Sequence, residues 1–269
     1  MGPWIADIDW SRPWLAPMQT LASVLEAADV RAALTEAAQA RGVRTDGGWS
    51  VRFVASDDTG VNTSERPYEL HIAETGRVPT RESLHDLFNA LAWLAFPRAK
   101  AALNAVQAAV IARDGIGNRR GPVRDAATLI DESGLLLASP DPAVLQALAA
   151  HDWRDLLVRN RERWGRDILP VVIGHALLEQ LNRPFKAITA AVVPLSLPAN
   201  SGMPQPALLD GATAAFVRRP DLTPRDLLRL PVLGIPGWDP ANSDPGFYDD
   251  AKVFRPARLQ EVGRPHSPR

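Results

Sequence analysis

Between Leu84 and Asn104 the chain reads LHDLFNALAWLAFPRAKAALN, and no other stretch narrows the possible folds as much. Leu84, Leu87, Phe88, Leu91, Leu94 and Ala95 recur at the three- and four-residue spacing of one helix face. His85, Asn89, Ala92, Trp93 and Phe96 form the adjoining stripe. Beyond Asp86 little of the segment is polar, which predicts a central helix buried on most sides. Thr80 is the expected N-cap, with Glu82 in the first turn, and the helix should run from about Arg81 to Phe96. Pro97 disfavours helical geometry at Phe96. The chain should therefore kink there, or open a second helix on Pro97 that runs to about Ala112.

Around this element the reading is α+β and mainly helical, with two short β-hairpins or one small antiparallel sheet. The arm over residues 1–14 carries Trp4, Trp10 and Trp14, which are costly to leave in water, so it should pack on the domain. Residues 17–41 read as helix, broken near Asp29 and stopped at Gly42. VRFVASDD (51–58) and YELHIAE (68–74) alternate and predict one hairpin across a polar loop. ATLIDESGLLLAS (127–139) predicts a second, turning at Glu132-Ser133-Gly134. Helices are expected over 141–150, on the surface over 153–164, buried over 167–182, and over 206–217, with a strand over 187–195. Residues 230–256 should wrap the domain as irregular chain, burying Trp238, Phe247, Tyr248 and Phe254. The expected organisation is an arm with helices over 1–45, a single domain over 46–260, and a disordered tail over 261–269.

Charge limits what such a domain can bind. Lys+Arg 30 against Asp+Glu 31 removes the general electrostatic case for nucleic acid or an anionic membrane. Only Lys100, Lys186 and Lys252 among the basic residues are lysine. The arginine excess suits phosphate recognition, but it rises together with Ala and Pro, as codon bias would produce. The absence of cysteine excludes disulfides, thiolate metal sites and a cysteine nucleophile. No stretch approaches the roughly 18 apolar residues of a membrane span. The segment MGPWIADIDWSRPW lacks the basic patch and apolar run of a signal peptide, so the expected location is the cytoplasm. Nothing in the sequence names a partner or an oligomeric state.

Several residues could carry chemistry. His85 and Asn89 lie one helical turn apart with Asp86 beside them, which suits a general base and its orienting groups. A buried trio that satisfies itself and fixes helix packing explains the same pattern. His175 and Glu179 repeat the i, i+4 spacing; with His85 they could ligate one divalent ion (Zn, Mn or Fe) if the helices meet. Arg124 and Asp125 are candidates for binding an anionic substrate. Asp131 and Glu132 could hold Mg²⁺ or could simply start the expected turn. Arg113, Arg119, Arg120 and Arg124 flank a glycine-rich loop, 112–122, that could clamp phosphate. It is neither a Walker loop nor a dinucleotide fingerprint. Gly-x-Ser-x-Gly and His-Glu-x-x-His are absent from the chain.

Two resemblances follow from these stretches. His71 in an expected strand, a loop, then a helix with Asn89 and Arg98 or Lys100 resembles, over about thirty residues, the HNH (His-metal finger) nucleases. Arg98 stands where that family commonly has a ligating histidine. Far more of the chain is similar to the bacterial proteins grouped as domain-of-unknown-function family 3025. The similarity is carried by FNALAWLAFPRAKAALN (88–104), RDAATLIDESG (124–134), GHALLE (174–179), and LPVLGIPGW with FYDDAKVFRP (230–238, 247–256). That resemblance implies a bacterial origin and a single domain, and it implies no reaction. Two functions stay open: a hydrolase, metal-dependent and acting on phosphoesters or nucleic acid, or a non-catalytic binding or assembly protein with a structural polar network.

Overall fold

The structure is a computed structural model, and it describes residues 3–56, 67–115, 121–198 and 205–256. The described chain opens on two 3-10 segments, Pro3–Asp7 and Pro13–Glu26, and then α1, Val30–Ala40, which Asp29 caps by accepting from the Ala32 N–H. The break expected near Asp29 is therefore this cap, and Gly42 follows α1 with φ 65°. Strand β1 (Arg52–Val54), helix α2 (Tyr68–Thr75) and strand β2 (Arg77–Pro79) come next, with β1 and β2 paired in parallel.

The first expected hairpin is thus replaced by a strand–helix–strand crossover. YELHIAE is short enough to fit either period, and its ends decide the outcome. Pro67 precedes the helix, and Gly76, at φ 69°, closes it in the left-handed conformation. The polar loop expected between the strands lies mostly outside the described residues, as do Arg119, Arg120 and residues 261–269.

Helix α3 spans Leu84–Ala95 and is capped by Ser83, whose Oγ accepts from the Asp86 N–H at 3.2 Å, rather than by Thr80. Residues 86–94 of α3 are all buried, as the pattern predicts. Phe96 leaves helical geometry (φ −131°, ψ 59°) and α4 (Pro97–Asp114) begins at the proline. Its first free N–H groups are answered from far away in the sequence. Asp210 accepts from the Arg98 N–H at 3.0 Å and from the Ala99 N–H at 2.8 Å. Small residues let α4 pack closely: Ala99, Ala101, Ala102 and Ala108 are buried.

Helix α5 (Pro122–Ser133) runs directly into β3 (Gly134–Ser139), so the second hairpin does not form either. Every residue of β3 is buried. A strand covered on both faces shows no alternation, and the Glu-Ser-Gly sequence that suggested a turn is the helix end. After α6 (Pro142–Ala149), a π-type turn over Arg154–Arg159 and a 3-10 turn over Arg161–Arg163 replace the expected surface helix. The buried helix expected over 167–182 is a strand and a helix: β4 (Leu169–Val172) and α7 (His175–Leu181), split at Gly174. Strand β5 (Thr189–Ser196) and helix α8 (Pro206–Val217) form as expected, followed by β6 (Leu228–Pro231).

The main sheet has the order β4-β3-β5-β6, parallel at its centre (β3 with β5) and antiparallel at both edges. It is a mixed sheet, not the small antiparallel one expected. The class is α+β and mainly helical. Trp14 lies against Trp238, ring centroids 5.7 Å apart, which ties the N-terminal arm to the C-terminal wrap. Trp10 packs partly buried against the core, and Trp4 has no described side chain. Trp238, Tyr248 and Phe254 are buried, as expected of the C-terminal segment, and Phe247 packs on Tyr248 and Phe254. Among the described residues no helix is long and apolar enough to cross a membrane.

Candidate metal and substrate site

Two glycines bring the polar residues together. A Cβ on Gly134 would lie 2.2 Å from the Ile130 carbonyl oxygen, and one on Gly174 would lie 2.3 Å from the Gly134 nitrogen and 2.6 Å from the Glu132 oxygen. Only bare backbone lets the end of α5 cross the start of α7 so closely. The crossing is fixed by the N–H groups of Ile173 and Gly174, both donating to the Gly134 carbonyl at 3.0 and 2.9 Å. It sets His175, at the head of α7, beside Asp131 and Glu132, at the foot of α5. Helix α3 packs on α7 and delivers His85 to the same point. The result is one wall of an open cavity of about 450 Å³, lined also by Tyr68 and Glu69 of α2, and by Asn104 and Gln107 of α4.

The two imidazoles meet edge to face with their centroids 4.5 Å apart, and His85 Nε2 is 3.1 Å from His175 Nε2. His85 Nδ1 lies 3.0 Å from Glu179 Oε2. An ionised carboxylate only accepts, so the ring proton belongs on Nδ1 and the lone pair on Nε2. His175 Nδ1 is buried and faces Asp131, whose Oδ1 is 3.9 Å away. At that distance no hydrogen bond forms, so the carboxylate stands near Nδ1 without fixing its proton. Burial, only partly opposed by Asp131, pushes the His175 pKa down to about 4, so this ring is neutral near pH 7. Glu132 Oε2 stands 3.4 Å from His175 Nε2. One ligand atom each from His85, Glu132 and His175 lies within 4.8 Å of the others. Burial, and then the charge of Asp131, raises the Glu132 pKa.

The other half of the cavity is built differently. Lys100 is 3 % exposed; its Nζ makes a short ion pair with Asp131 and donates to Asn89 Oδ1 at 2.8 Å. Asn89 Nδ2 donates to the Tyr68 hydroxyl at 3.0 Å. Burial would raise the Asp131 pKa, but Lys100 and then His175 outweigh it and hold the group below the usual carboxylate range. One and two turns further along α4, Asn104 Nδ2 donates to the Glu69 carbonyl at 2.9 Å and Gln107 Oε1 accepts from Thr128 at 3.2 Å.

The residues singled out from the sequence are distributed as follows. His85, Asn89 and His175 share the cavity wall. Glu179 joins them indirectly, on the far side of the His85 ring from the point where the two Nε2 atoms meet. Asp86 lines the cavity but turns to Arg81, accepting from its backbone N–H at 2.7 Å and from its guanidinium at 3.0 and 3.1 Å, and so does not orient His85. Arg124 faces Glu69 at 3.7 Å, and Asp125, in the first turn of α5, stays outside the wall. His71 is a buried residue of α2, not of a strand, so the nuclease-like arrangement lacks its first element. Glu132, which the sequence offers either as an Mg²⁺ ligand or as the start of a turn, ends α5 and stands with the two histidines. Lys100 was legible in one respect, since a lysine inside an apolar run of an arginine-dominated chain asks for a reason. In comparisons with known proteins, no curated protein and no solved structure matches the chain. A family model described as "Protein of unknown function (DUF3025)" matches residues 51–258.

Proposed function

The chain belongs to the DUF3025 family, whose description assigns no reaction, and from the cavity itself we propose that it is a metal-dependent hydrolase. One divalent ion would be held by His85 Nε2, His175 Nε2 and a Glu132 carboxylate oxygen. The observation that carries this is the close approach of the two imidazole Nε2 atoms at 3.1 Å, with Glu132 Oε2 3.4 Å from one of them. With the His85 proton on Nδ1, this nitrogen pair is bridged either by a proton on His175 Nε2 or by a metal ion. Two nitrogens on one tetrahedral zinc, each about 2.0–2.1 Å from the metal, stand roughly 3.3 Å apart. Glu179, 3.0 Å behind His85 Nδ1, is the outer partner that a metal-bound histidine ordinarily has, and Asp131 stands near His175 Nδ1 at 3.9 Å.

Three protein ligands leave a position open toward the cavity, the arrangement of catalytic rather than structural zinc sites. An ion there would polarise a carbonyl or phosphoryl oxygen and lower the pKa of water. The chain's own part is to fix the two imidazoles, keep His175 neutral, and present the substrate along α4. Phosphoesters have less support than hydrolysis as such. The wall's two cations, Arg81 and Lys100, are each already held by a carboxylate, Asp86 and Asp131. A bacterial, cytoplasmic setting belongs to the same proposal.

The second reading, a binding or assembly protein, is favoured by one observation. The chain from Asp131 through Lys100 and Asn89 to Tyr68 is satisfied within the protein and needs no ligand. Titration calorimetry of metal-stripped protein with Zn²⁺, Mn²⁺ and Co²⁺ separates the two. One ion per chain, lost in His85→Ala and His175→Ala, supports the hydrolase. Absence of micromolar binding by any of the three removes it, and a proton on His175 Nε2 is then the bridge. Hydrolysis of ester, amide and phosphoester panels by loaded against stripped protein then gives the reaction.

A further inference from the structure

Resting on the metal reading for the position of the bond that is cut, we propose that the far end of the cavity is a subsite for a hydrogen-bond donor. The substrate would then be an amide whose amine side ends in a protonated amine. Helix α4 lays out the ruler. Lys100, Asn104 and Gln107 sit on successive turns of one face, and at 1.5 Å per residue the stretch from Lys100 to Gln107 spans roughly 10 Å. The Lys100 level lies beside the metal wall through Asp131. The Asn104 level is therefore about 6 Å further along.

At that level Asn104 and Glu69 offer acceptors, with the Gln107 amide donor one turn further on. Asn104 Nδ2 is committed to the Glu69 carbonyl, which fixes the amide orientation and leaves Oδ1 as the free end. That Oδ1 is buried and has no hydrogen-bond partner among the described residues. The Glu69 carboxylate lines the cavity and faces Arg124 at 3.7 Å, beyond hydrogen-bonding distance. Of the wall's charged groups, Arg81 and Lys100 are both paired, while Glu69 adds negative charge with its own cation set back. An anionic tail would meet a carboxylate and an amide oxygen here. A protonated amine would satisfy both, and a hydroxyl one of them.

The reaction this implies is balanced by water alone. The water oxygen bonds to the carbonyl carbon, the C–N bond breaks, and the water proton passes to the departing nitrogen. The products are a carboxylic acid and a diamine, and Glu69 would hold the diamine by its far nitrogen.

Calorimetry with three probes tests the subsite: N-acetyl-1,4-diaminobutane, N-acetyl-4-aminobutanoate, and 1,4-diaminobutane, each with and without Zn²⁺. Wild type should prefer the amine-ended acetyl compound over the carboxylate-ended one by about tenfold or more, the size of one charge-assisted hydrogen bond. Glu69→Gln should erase most of that preference and leave the Zn²⁺ stoichiometry at the wild-type value. Zn²⁺ binding with no Glu69-dependent preference overturns the subsite and leaves the metal reading standing. Glu69-dependent diamine binding without any Zn²⁺ binding does the reverse. A preference for the carboxylate-ended probe overturns the subsite under either condition.

Discussion

The two halves of the cavity use similar residue types to opposite ends. Around Lys100 each polar group meets its complement: an ammonium with a carboxylate, an amide with the ammonium on one side and a phenol on the other. Around His85 and His175 like meets like, and two imidazole nitrogens face each other at 3.1 Å. A buried group that has found its partner contributes to the fold and its specificity. A group whose neighbours are all acceptors is held ready for something from outside. The difference explains why a shared cavity does not imply a shared role. It also gives each half its own test, because the first should respond to substitution in stability and the second in ligand binding.

The largest effect is expected from Lys100→Met. It strands Asp131 in the wall without its cation, and breaking one side of a buried pair costs about 3–5 kcal/mol. Denaturant unfolding should show that loss with or without added metal. Adding Asp131→Asn should restore much of it, because the stranded charge is then removed. A Lys100→Met protein as stable as wild type would mean the satisfied half holds nothing together, and the contrast between the halves would collapse.

Next comes stabilisation by metal itself. At a free Zn²⁺ concentration a hundred times its dissociation constant, a site present only in the folded state adds about 2.7 kcal/mol. Wild type should gain this in thermal or chemical unfolding, and His175→Ala should gain none. Equal stabilisation of both proteins would place the ion elsewhere. Glu179→Gln should then weaken Zn²⁺ by about 10–100-fold, the usual cost of losing the outer partner of a metal-bound histidine. Its metal-free stability should barely move, since the Glu179 side chain is 42 % exposed. A drop in metal-free stability without a change in affinity would make Glu179 a packing residue.

How much of this was legible in the sequence follows the same division between local and distant causes. Helix α3 and the restart at Pro97 are written in periodicity and in proline's own geometry, both local. The cap on α4 is not, because Asp210 arrives from more than a hundred residues away in sequence. Where the reading failed, two local signals competed and tertiary burial chose between them. Strand β3 is covered on both faces and so lost its alternation, while Glu132-Ser133-Gly134 offered turn chemistry to a helix end. Gly174 split what looked like one buried helix. His85 and His175 were each conspicuous, but their meeting depends on a backbone crossing at Gly134 and Gly174 that no residue spacing reveals. For Glu132 the sequence left two readings, an Mg²⁺ ligand or the start of a turn, and that turn does not form.

The smallest expected effect sharpens the boundary between the halves. Tyr68 is 42 % exposed, and its hydroxyl is the outer end of the Lys100 chain, accepting from Asn89 Nδ2. Tyr68→Phe deletes that acceptor where cavity water can replace it, so the loss should be about 0.5–1 kcal/mol, one ordinary hydrogen bond. Zn²⁺ affinity should be unchanged, because three residues, Asn89, Lys100 and Asp131, stand between the phenol and His175. If Tyr68→Phe weakens Zn²⁺ tenfold while costing little stability, the chain transmits orientation to the imidazole. The satisfied half would then be the outer support of the metal wall, with Lys100 its central member.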